Sequence, residues 1–251
     1  MNDYRTPLSV IIPVYNEAGN IEELIRRVME VPLEKEVVLV DDASNDGTGE
    51  IIRTKVLASY PGIKFESHPE NRGKGSAIRT GLKRAEGEIV IIQDADLEYN
   101  PSDYVQIFRE FRNPGVSVVY GTRFSNINRH LFVWHWFCNR FFGAHYEIRY
   151  LHHFIGIQFL NFLANVLYSA NITDEATCYK AFKREVLEKI SLRCRGFEFC
   201  PEVTAKVRKA GYSITEVPVT YHPRSRKEGK KLSWRHGFEA IYTLIKYRFA
   251  D

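Results

Sequence analysis

The chain has 251 residues, 44% of them hydrophobic, enough to bury a full core as one large domain or two small ones. A formal net charge of +4 is too small to mark a general nucleic-acid binder, so no nucleic-acid partner is expected. The four cysteines (Cys138, Cys178, Cys194, Cys200) show neither a Cys-x-x-Cys pair nor zinc spacing, and with no amino-terminal signal peptide they read as reduced thiols of a cytoplasmic chain.

From residue 8 to about 121 strand and helix patterns alternate. Residues 8–13 form an apolar strand, and Ile21, Leu24, Ile25 and Val28 a helical stripe opened by Asn20 with Glu23 three residues on, the spacing of a capping box. A second strand, 36–40, ends in Asp41-Asp42; Ile51 and Ile52 begin another helical face, and 63–65 is a short third strand. Residues 73–85 are helical. The run Ile89-Val90-Ile91-Ile92-Gln93-Asp94-Ala95-Asp96 then reads as a buried parallel strand that ends in two carboxylates, followed by a helix over 101–111 and a strand over 116–120. This order predicts an α/β fold, a mostly parallel central sheet with helices on both faces.

After Gly121 the texture changes. Residues 129–153 mix aromatics (Phe132, Trp134, Trp136, Phe137, Phe141, Phe142, Tyr146, Tyr150) with Arg129, Arg140, Arg149 and five of the eight histidines. With no acid or cysteine to complete a metal site, those histidines read as surface or core residues. No apolar run reaches membrane-spanning length. The nearest, 154–170, carries Gln158, Asn161 and Asn165 at i, i+3 and i+7, one polar stripe of an amphipathic helix. The last stretch, 224–248, is basic, and Trp234, Phe238, Ile241, Ile245 and Phe249 follow helical spacing. The expected organisation is one main domain over 1–232, including an amphipathic segment 129–170, and a carboxyl-terminal amphipathic helix over 233–251.

Parallel strands share one carboxyl edge, where open α/β sheets place ligands. Glu17, Asp41 and Asp42 are therefore expected beside Asp94 and Asp96, a self-repelling cluster unless a cation or ligand compensates it. Alone, Asp-x-Asp favours a turn that caps the next helix. Together with its neighbours, and with Glu98 close behind, it suits a hard cation, Mg²⁺ or Mn²⁺, holding a diphosphate. The glycines of Asn71-Arg72-Gly73-Lys74-Gly75 precede a helix and leave amides free for an anion, with Lys74 and Arg72 adding charge. The spacing is not that of a Walker P-loop.

Ser9-Val10-Ile11-Ile12-Pro13-Val14-Tyr15-Asn16-Glu17, Val40-Asp41-Asp42-Ala43-Ser44-Asn45-Asp46-Gly47-Thr48, Asn71-Arg72-Gly73-Lys74-Gly75 and Asp94-Ala95-Asp96, in this order, resemble the inverting family-2 glycosyltransferases. Gly121-Thr122-Arg123-Phe124 and Thr173-Asp174-Glu175-Ala176-Thr177-Cys178-Tyr179-Lys180 narrow the resemblance to the branch that makes polyprenyl-phosphate sugars, the dolichol-phosphate mannose synthase and polyprenyl-phosphate glucosyltransferase relatives. The resemblance runs from about residue 7 to 235. It implies a GT-A-type nucleotide-sugar fold, with Pro13, Tyr15 and Glu17 on the nucleoside and Asp42 near the base or ribose. Asp94, the Ala95 backbone, Asp96 and Glu98 would surround metal and diphosphate, although many relatives carry Gln in place of Glu98. Arg123 and the cluster Arg224, Arg226, Lys230 and Lys231 would face phosphates of donor or acceptor.

The reaction so implied displaces a nucleoside diphosphate from an anomeric carbon, and the metal stabilises the departing charge. A sugar hydroxyl acceptor needs a general base, whereas a phosphate oxygen is already anionic. Thr173-Asp174-Glu175 fits the phosphate-directed branch, though Asp174 or Glu175 could still act as a base. The expected function is metal-dependent transfer of a hexose from GDP-mannose or UDP-glucose to a polyprenyl or dolichyl phosphate. Aromatic and basic segments suit a chain held peripherally on the cytoplasmic face of a membrane, with room for a membrane-protein partner. Two other readings stand beside it: a family-2 transferase acting on a saccharide or protein hydroxyl, and a non-catalytic nucleotide-sugar-binding subunit, which the intact Asp94/Asp96 pair disfavours. Glu198, just before a helix that Pro201 opens, is a helix-start acid with acceptor-side contact as its functional reading.

Overall fold

The structure, a computed structural model, describes residues 8–124, 151–224 and 234–250, with side chains from residue 155 onward in the second stretch. Its centre is β1 (Leu8–Val14), buried along its whole length and paired in parallel with β2 (Lys35–Asp41) on one side and β4 (Ile89–Ile92) on the other. Continuous Val/Ile/Leu runs suit such strands because helices cover both faces. β3 (Lys64–Ser67), β5 (Val118–Thr122), β6 (Lys180–Lys183) and β7 (Thr215–Pro218) complete a seven-stranded sheet of order β3-β2-β1-β4-β6-β5-β7. β6 runs antiparallel to both of its neighbours, β4 and β5, while the other neighbouring pairs are parallel. The sheet is thus mostly parallel, as expected. β6 itself was not anticipated, since Lys180–Lys183 is too short and too charged to read as a strand. β5 also begins two residues late, because Val116 is held in a turn by its amide donating to the Asn113 carbonyl (3.2 Å).

Helix α1 (Ile21–Glu30) buries Ile21, Leu24, Ile25 and Val28, the stripe read from the sequence. The capping box does not form. Asn20 Nδ2 donates to Glu17 Oε2 at 2.7 Å, and Glu23 is taken by Arg26 and Arg27 at 2.7 and 2.6 Å, cations one turn away that outcompete a backbone amide. α2 (Thr48–Ile51) continues through a π-helical turn, Ile52–Val56. α3 (Lys74–Arg84) packs on β1 at Gly81, where an added Cβ would collide with Ile11. The helix expected from Pro101 starts as a 3-10 turn, Pro101–Asp103, capped by Asn100 Oδ1 on the Ser102 amide (3.1 Å), and runs on as α4 (Tyr104–Glu110).

The later helices are α5 (Leu151–Tyr168), α6 (Arg184–Lys189), α7 (Phe199–Lys209) and α8 (Trp234–Phe249). α8 packs against α7 and α5, and Tyr168 Oη donates to the Leu244 carbonyl at 2.5 Å. The polar stripe of α5 faces inward rather than to solvent. Asn161 is buried, and Asn165 closes both backbone groups of Ile172 at 2.8 and 2.9 Å. Ile155, Phe159, Phe162 and Val166 of α5 and Trp234, Phe238, Tyr242, Ile245 and Phe249 of α8 are exposed instead, and among the described residues these are all of the exposed large hydrophobic side chains. No helix among the described residues is long and apolar enough to cross a membrane. The side chains of the aromatic, arginine- and histidine-rich stretch 129–153 lie outside the described residues, as do Arg226, Lys230 and Lys231.

Candidate active site at the carboxyl edge of the sheet

The loops that leave β1, β2 and β4 each contain a non-glycine residue in the left-handed region: Asn16 (φ 52), Ala43 (φ 60) and Leu97 (φ 60). Each costs on the order of 1 kcal/mol, strain that tends to collect where a site is shaped. Hydrogen bonds stitch the first two loops together. The Asn16 amide donates to Ser44 Oγ, the Asn45 amide to Asn16 Oδ1 and the Glu17 amide to Thr48 Oγ1, each at 2.9 Å. Pro13 is buried at the end of β1, Tyr15 half-buried just beyond it, and Glu17 buried in the loop.

Asp94 and Asp96 sit half-buried where β4 leaves the sheet, either side of the buried Ala95. Lys74 Nζ lies 2.5 Å from Asp94 Oδ1, so the lysine at the head of α3 neutralises the first carboxylate. Burial opposes the ammonium charge, but Asp94 holds its pKa well above the usual lysine range. Among the described residues no lysine or arginine side chain is paired with the Asp96 carboxylate in this way. Burial, then the charges of Asp94 and Glu98, lift its carboxyl to about 7. Glu98 turns the other way, accepting from Tyr221 Oη (2.8 Å) and from the Arg224 amide (2.7 Å). The Arg224 guanidinium reaches back with Nε to the Asp96 carbonyl (2.5 Å) and Nη2 to Glu17 Oε2 (3.0 Å). The structure therefore brings together Glu17, Asp94, Asp96, Glu98, Lys74 and Arg224.

Asp41 and Asp42 do not join one acidic cluster. Successive strand residues point to opposite faces. Asp41 turns toward β3, accepting from the Ser44 amide (3.2 Å), and lines an open depression of about 550 Å³ with Glu50, Arg53 and Ser67. Asp42, expected near base or ribose, is 2% exposed and accepts from the Arg72 and Gly73 amides (2.9 and 2.7 Å), with His68 Nδ1 at 2.7 Å. His68 Nε2 in turn meets Thr80 Oγ1 at 2.9 Å. The amides expected to be free for an anion are thus partly filled from within the protein. Gly75 and Ser76 are also taken, donating to the carbonyls of Gly196 (3.1 Å) and Arg195 (3.0 Å). Gly73 (φ 90) tolerates this approach only without a side chain, since an added Cβ would strike the Arg195 carbonyl.

Arg123 leaves β5 into a fork with Asp174, Nε–Oδ2 and Nη2–Oδ1 both 2.7 Å, and its guanidinium carbon stacks 4.8 Å above the Tyr221 ring centroid. Asp174 is fully buried. Glu175 is 1% exposed, and burial followed by the Asp174 charge pushes its carboxyl up to about 7. Glu198 caps its own turn through the Arg195 and Gly196 amides (2.6 and 2.9 Å). The pairing of Lys74 with Asp94 and the tether through Tyr221 carried no signal in the sequence, because each joins segments far apart along the chain.

Among the described residues no three His, Cys, Asp or Glu side chains converge on one cation position. Asp94 and Asp96 each present a hard carboxylate oxygen of the kind Mg²⁺ takes when substrate phosphates and water fill its other positions. A divalent cation bound there would offset the crowding of Asp96 by the Asp94 and Glu98 carboxylates.

The model of the family described as Glycosyl transferase family 2 matches residues 9–191. A dolichol-phosphate mannosyltransferase of Pyrococcus furiosus is 30% identical over 246 residues, covering 96% of this chain and 64% of its own length, so the chain spans under two thirds of that relative. A polyprenol monophosphomannose synthase of Mycolicibacterium smegmatis is 26% identical, with 95% of this chain and 85% of its own length covered. In structure, glucosyl-3-phosphoglycerate synthase from Mycobacterium tuberculosis, described in complex with Mn²⁺, UDP and phosphoglyceric acid, superposes with a TM-score of 0.69 at 16% identity, covering 98% of this chain and 80% of that one. That likeness shows the fold, which is of the GT-A type.

Proposed function

This chain belongs to glycosyl transferase family 2, and on that premise we propose that it transfers a hexose from a nucleotide-sugar, GDP-mannose or UDP-glucose, to a polyprenyl phosphate at a membrane surface, with inversion at the anomeric carbon. The observation that carries this reading is the Arg123–Asp174 fork. A hydroxyl acceptor needs a carboxylate free to take its proton, yet Asp174 is buried and held at 2.7 Å through both oxygens, and Glu175 beside it is also buried. A phosphate monoester needs no such base. Its oxygen attacks the anomeric carbon, the bond from that carbon to the diphosphate oxygen breaks, and the electron pair leaves with the nucleoside diphosphate.

Each site residue then has a task. The loops after β1 and β2 seat the nucleoside, with Tyr15 and Glu17 at its edge. Asp94 and Asp96 hold Mg²⁺ or Mn²⁺, which when bound supplies Lewis-acid stabilisation to the departing diphosphate. Lys74 and Arg224 add positive charge on the two sides of that position, where it is worth most as charge develops. Glu98 anchors Arg224 through its amide, a use of the acid that leaves the metal donor set to the two aspartates. The Mn²⁺ and UDP of the structural neighbour and the names of the lipid-directed relatives support donor, metal and acceptor class.

The outward apolar faces of α5 and α8 support a membrane-surface location. Trp234, Phe238, Tyr242 and Phe249 are exposed on a helix that also carries Arg235, Lys246 and Arg248, a pairing of aromatic and basic side chains suited to an anionic lipid interface. The test is to incubate the purified chain with Mg²⁺ or Mn²⁺, polyprenyl phosphate and radiolabelled GDP-mannose or UDP-glucose. Labelled lipid is expected with one donor; measurable donor binding without labelled lipid from either donor would sink the reading.

A further inference from the structure

Phe197 joins the candidate active site to the outward apolar helices. The turn that carries it is fastened at both ends: Glu198 binds the Arg195 and Gly196 amides, while the Arg195 and Gly196 carbonyls accept from Ser76 and Gly75 at the head of α3. The half-buried ring is thereby set beside Lys74, whose Nζ lies 5.7 Å from the ring centroid, and against the His236 ring of α8, 4.6 Å between centroids at 50°. His236 stands between Trp234 and Phe238 in sequence, which are 72% and 65% exposed and meet edge to face at 5.8 Å. On the other side, Lys74 is paired with Asp94. His236, one turn before the buried Ala240, is on the inward side of α8, so contacts run from that side of the helix through Phe197 to the lysine and carboxylate of the transfer site, while Trp234 and Phe238 face outward from the same first turns.

We propose that Phe197, backed by His236, is the wall along which an apolar-tailed phosphate passes from the α8 face to the anomeric carbon, and that it sets the preference for a lipid acceptor. This rests on the lipid-phosphate reading above. A tail lying on α8 has to deliver its phosphate inward, and Phe197, set between His236 on the inward side of α8 and Lys74, offers an apolar ring for the first prenyl units with an ammonium and an imidazole beside it for the phosphate.

The test uses the full chain carrying Phe197→Ala, Phe197→Leu, Phe197→Tyr or His236→Ala, with polyprenyl phosphate in mixed micelles as acceptor and nucleotide binding by calorimetry as the check on the fold. Loss of the buried ring face should raise the acceptor KM of Phe197→Ala about tenfold or more. Donor KM and nucleotide Kd should stay near wild type, Phe197→Tyr should restore the acceptor KM, and His236→Ala should raise it to a lesser degree. If Phe197→Ala loses nucleotide binding, Phe197→Leu decides by the same criterion. An unchanged acceptor KM, or a parallel rise of donor and acceptor KM, overturns the role of Phe197 alone. A wild-type chain that glycosylates a hydroxyl acceptor but not polyprenyl phosphate overturns the parent reading, and this one with it.

Discussion

Arg224 Nη2 lies 3.0 Å from Glu17 Oε2, fastening a late basic residue to the loop of the first strand across the mouth of the candidate site. Both side chains are largely buried, at 14% and 6% exposure, so the pair is not a screened surface contact. Arg224→Ala is expected to lower kcat/KM for the nucleotide-sugar about 10²-fold, as loss of charge-assisted hydrogen bonds near a developing charge does. A double-mutant cycle with Glu17→Gln should give a coupling energy of about 1–3 kcal/mol. Strict additivity of the two substitutions would show that the contact carries no energy.

Asp96 carries the metal assignment. Asp96→Ala is expected to reduce metal-dependent turnover by at least about 10²-fold, the scale of removing one preorganised stabiliser of developing charge, and to abolish Mn²⁺ binding in calorimetric titration. Full activity in that variant, or unchanged Mn²⁺ affinity, would refute the assignment.

The Arg123–Asp174 fork ties two distant segments together inside the protein. Arg123→Ala leaves a buried carboxylate without its cation and should cost about 3 kcal/mol in urea unfolding. Arg123→Lys should recover only part of that, because an ammonium cannot reproduce two parallel bonds to one carboxylate. The Arg123→Ala/Asp174→Asn double variant should be more stable than Arg123→Ala alone; an equally unstable double variant would argue against the fork as the source.

Glu175 makes folding stability depend on pH. Its carboxyl is lifted from 4.5 to about 7 by burial, so between those values the folded chain holds a proton that the unfolded chain has lost. Stability from this group is therefore fully present below about pH 4.5 and falls as pH rises to about 7, by an amount on the order of 3 kcal/mol at most. Glu175→Gln should remove that fall. Identical slopes of unfolding free energy against pH in wild type and Glu175→Gln would contradict the expectation.

The apolar face of α8 predicts binding to vesicles. Trp234→Ser with Phe238→Ser removes two exposed rings and should weaken co-sedimentation with anionic phospholipid vesicles by about tenfold or more, with the far-ultraviolet circular dichroism unchanged. Undiminished co-sedimentation would show that these rings do not meet the bilayer.

Local pattern alone was enough to read the alternation of strand and helix, the apolar core of β1, β2 and β4, and the collection of Asp94, Asp96 and Glu17 at one sheet edge. Parallel buried strands are continuous apolar runs, and residues placed at their ends must share an edge. The order of motifs likewise carried the family. What the local pattern could not decide was partnership. Asn161 and Asn165 read equally well as a solvent stripe, and only the packing of α5 against the 172–175 segment turned them inward and its phenylalanines out. Asp41 and Asp42 looked like one acidic pair until the strand sent them to opposite faces. The amides of Arg72 and Gly73 looked open until Asp42, 30 and 31 residues earlier, filled them, and Asp174 looked like a candidate base until Arg123, 51 residues earlier, closed on it. A residue's periodicity is set by its neighbours in sequence, but its charge, exposure and availability for chemistry are set by whatever the fold brings against it.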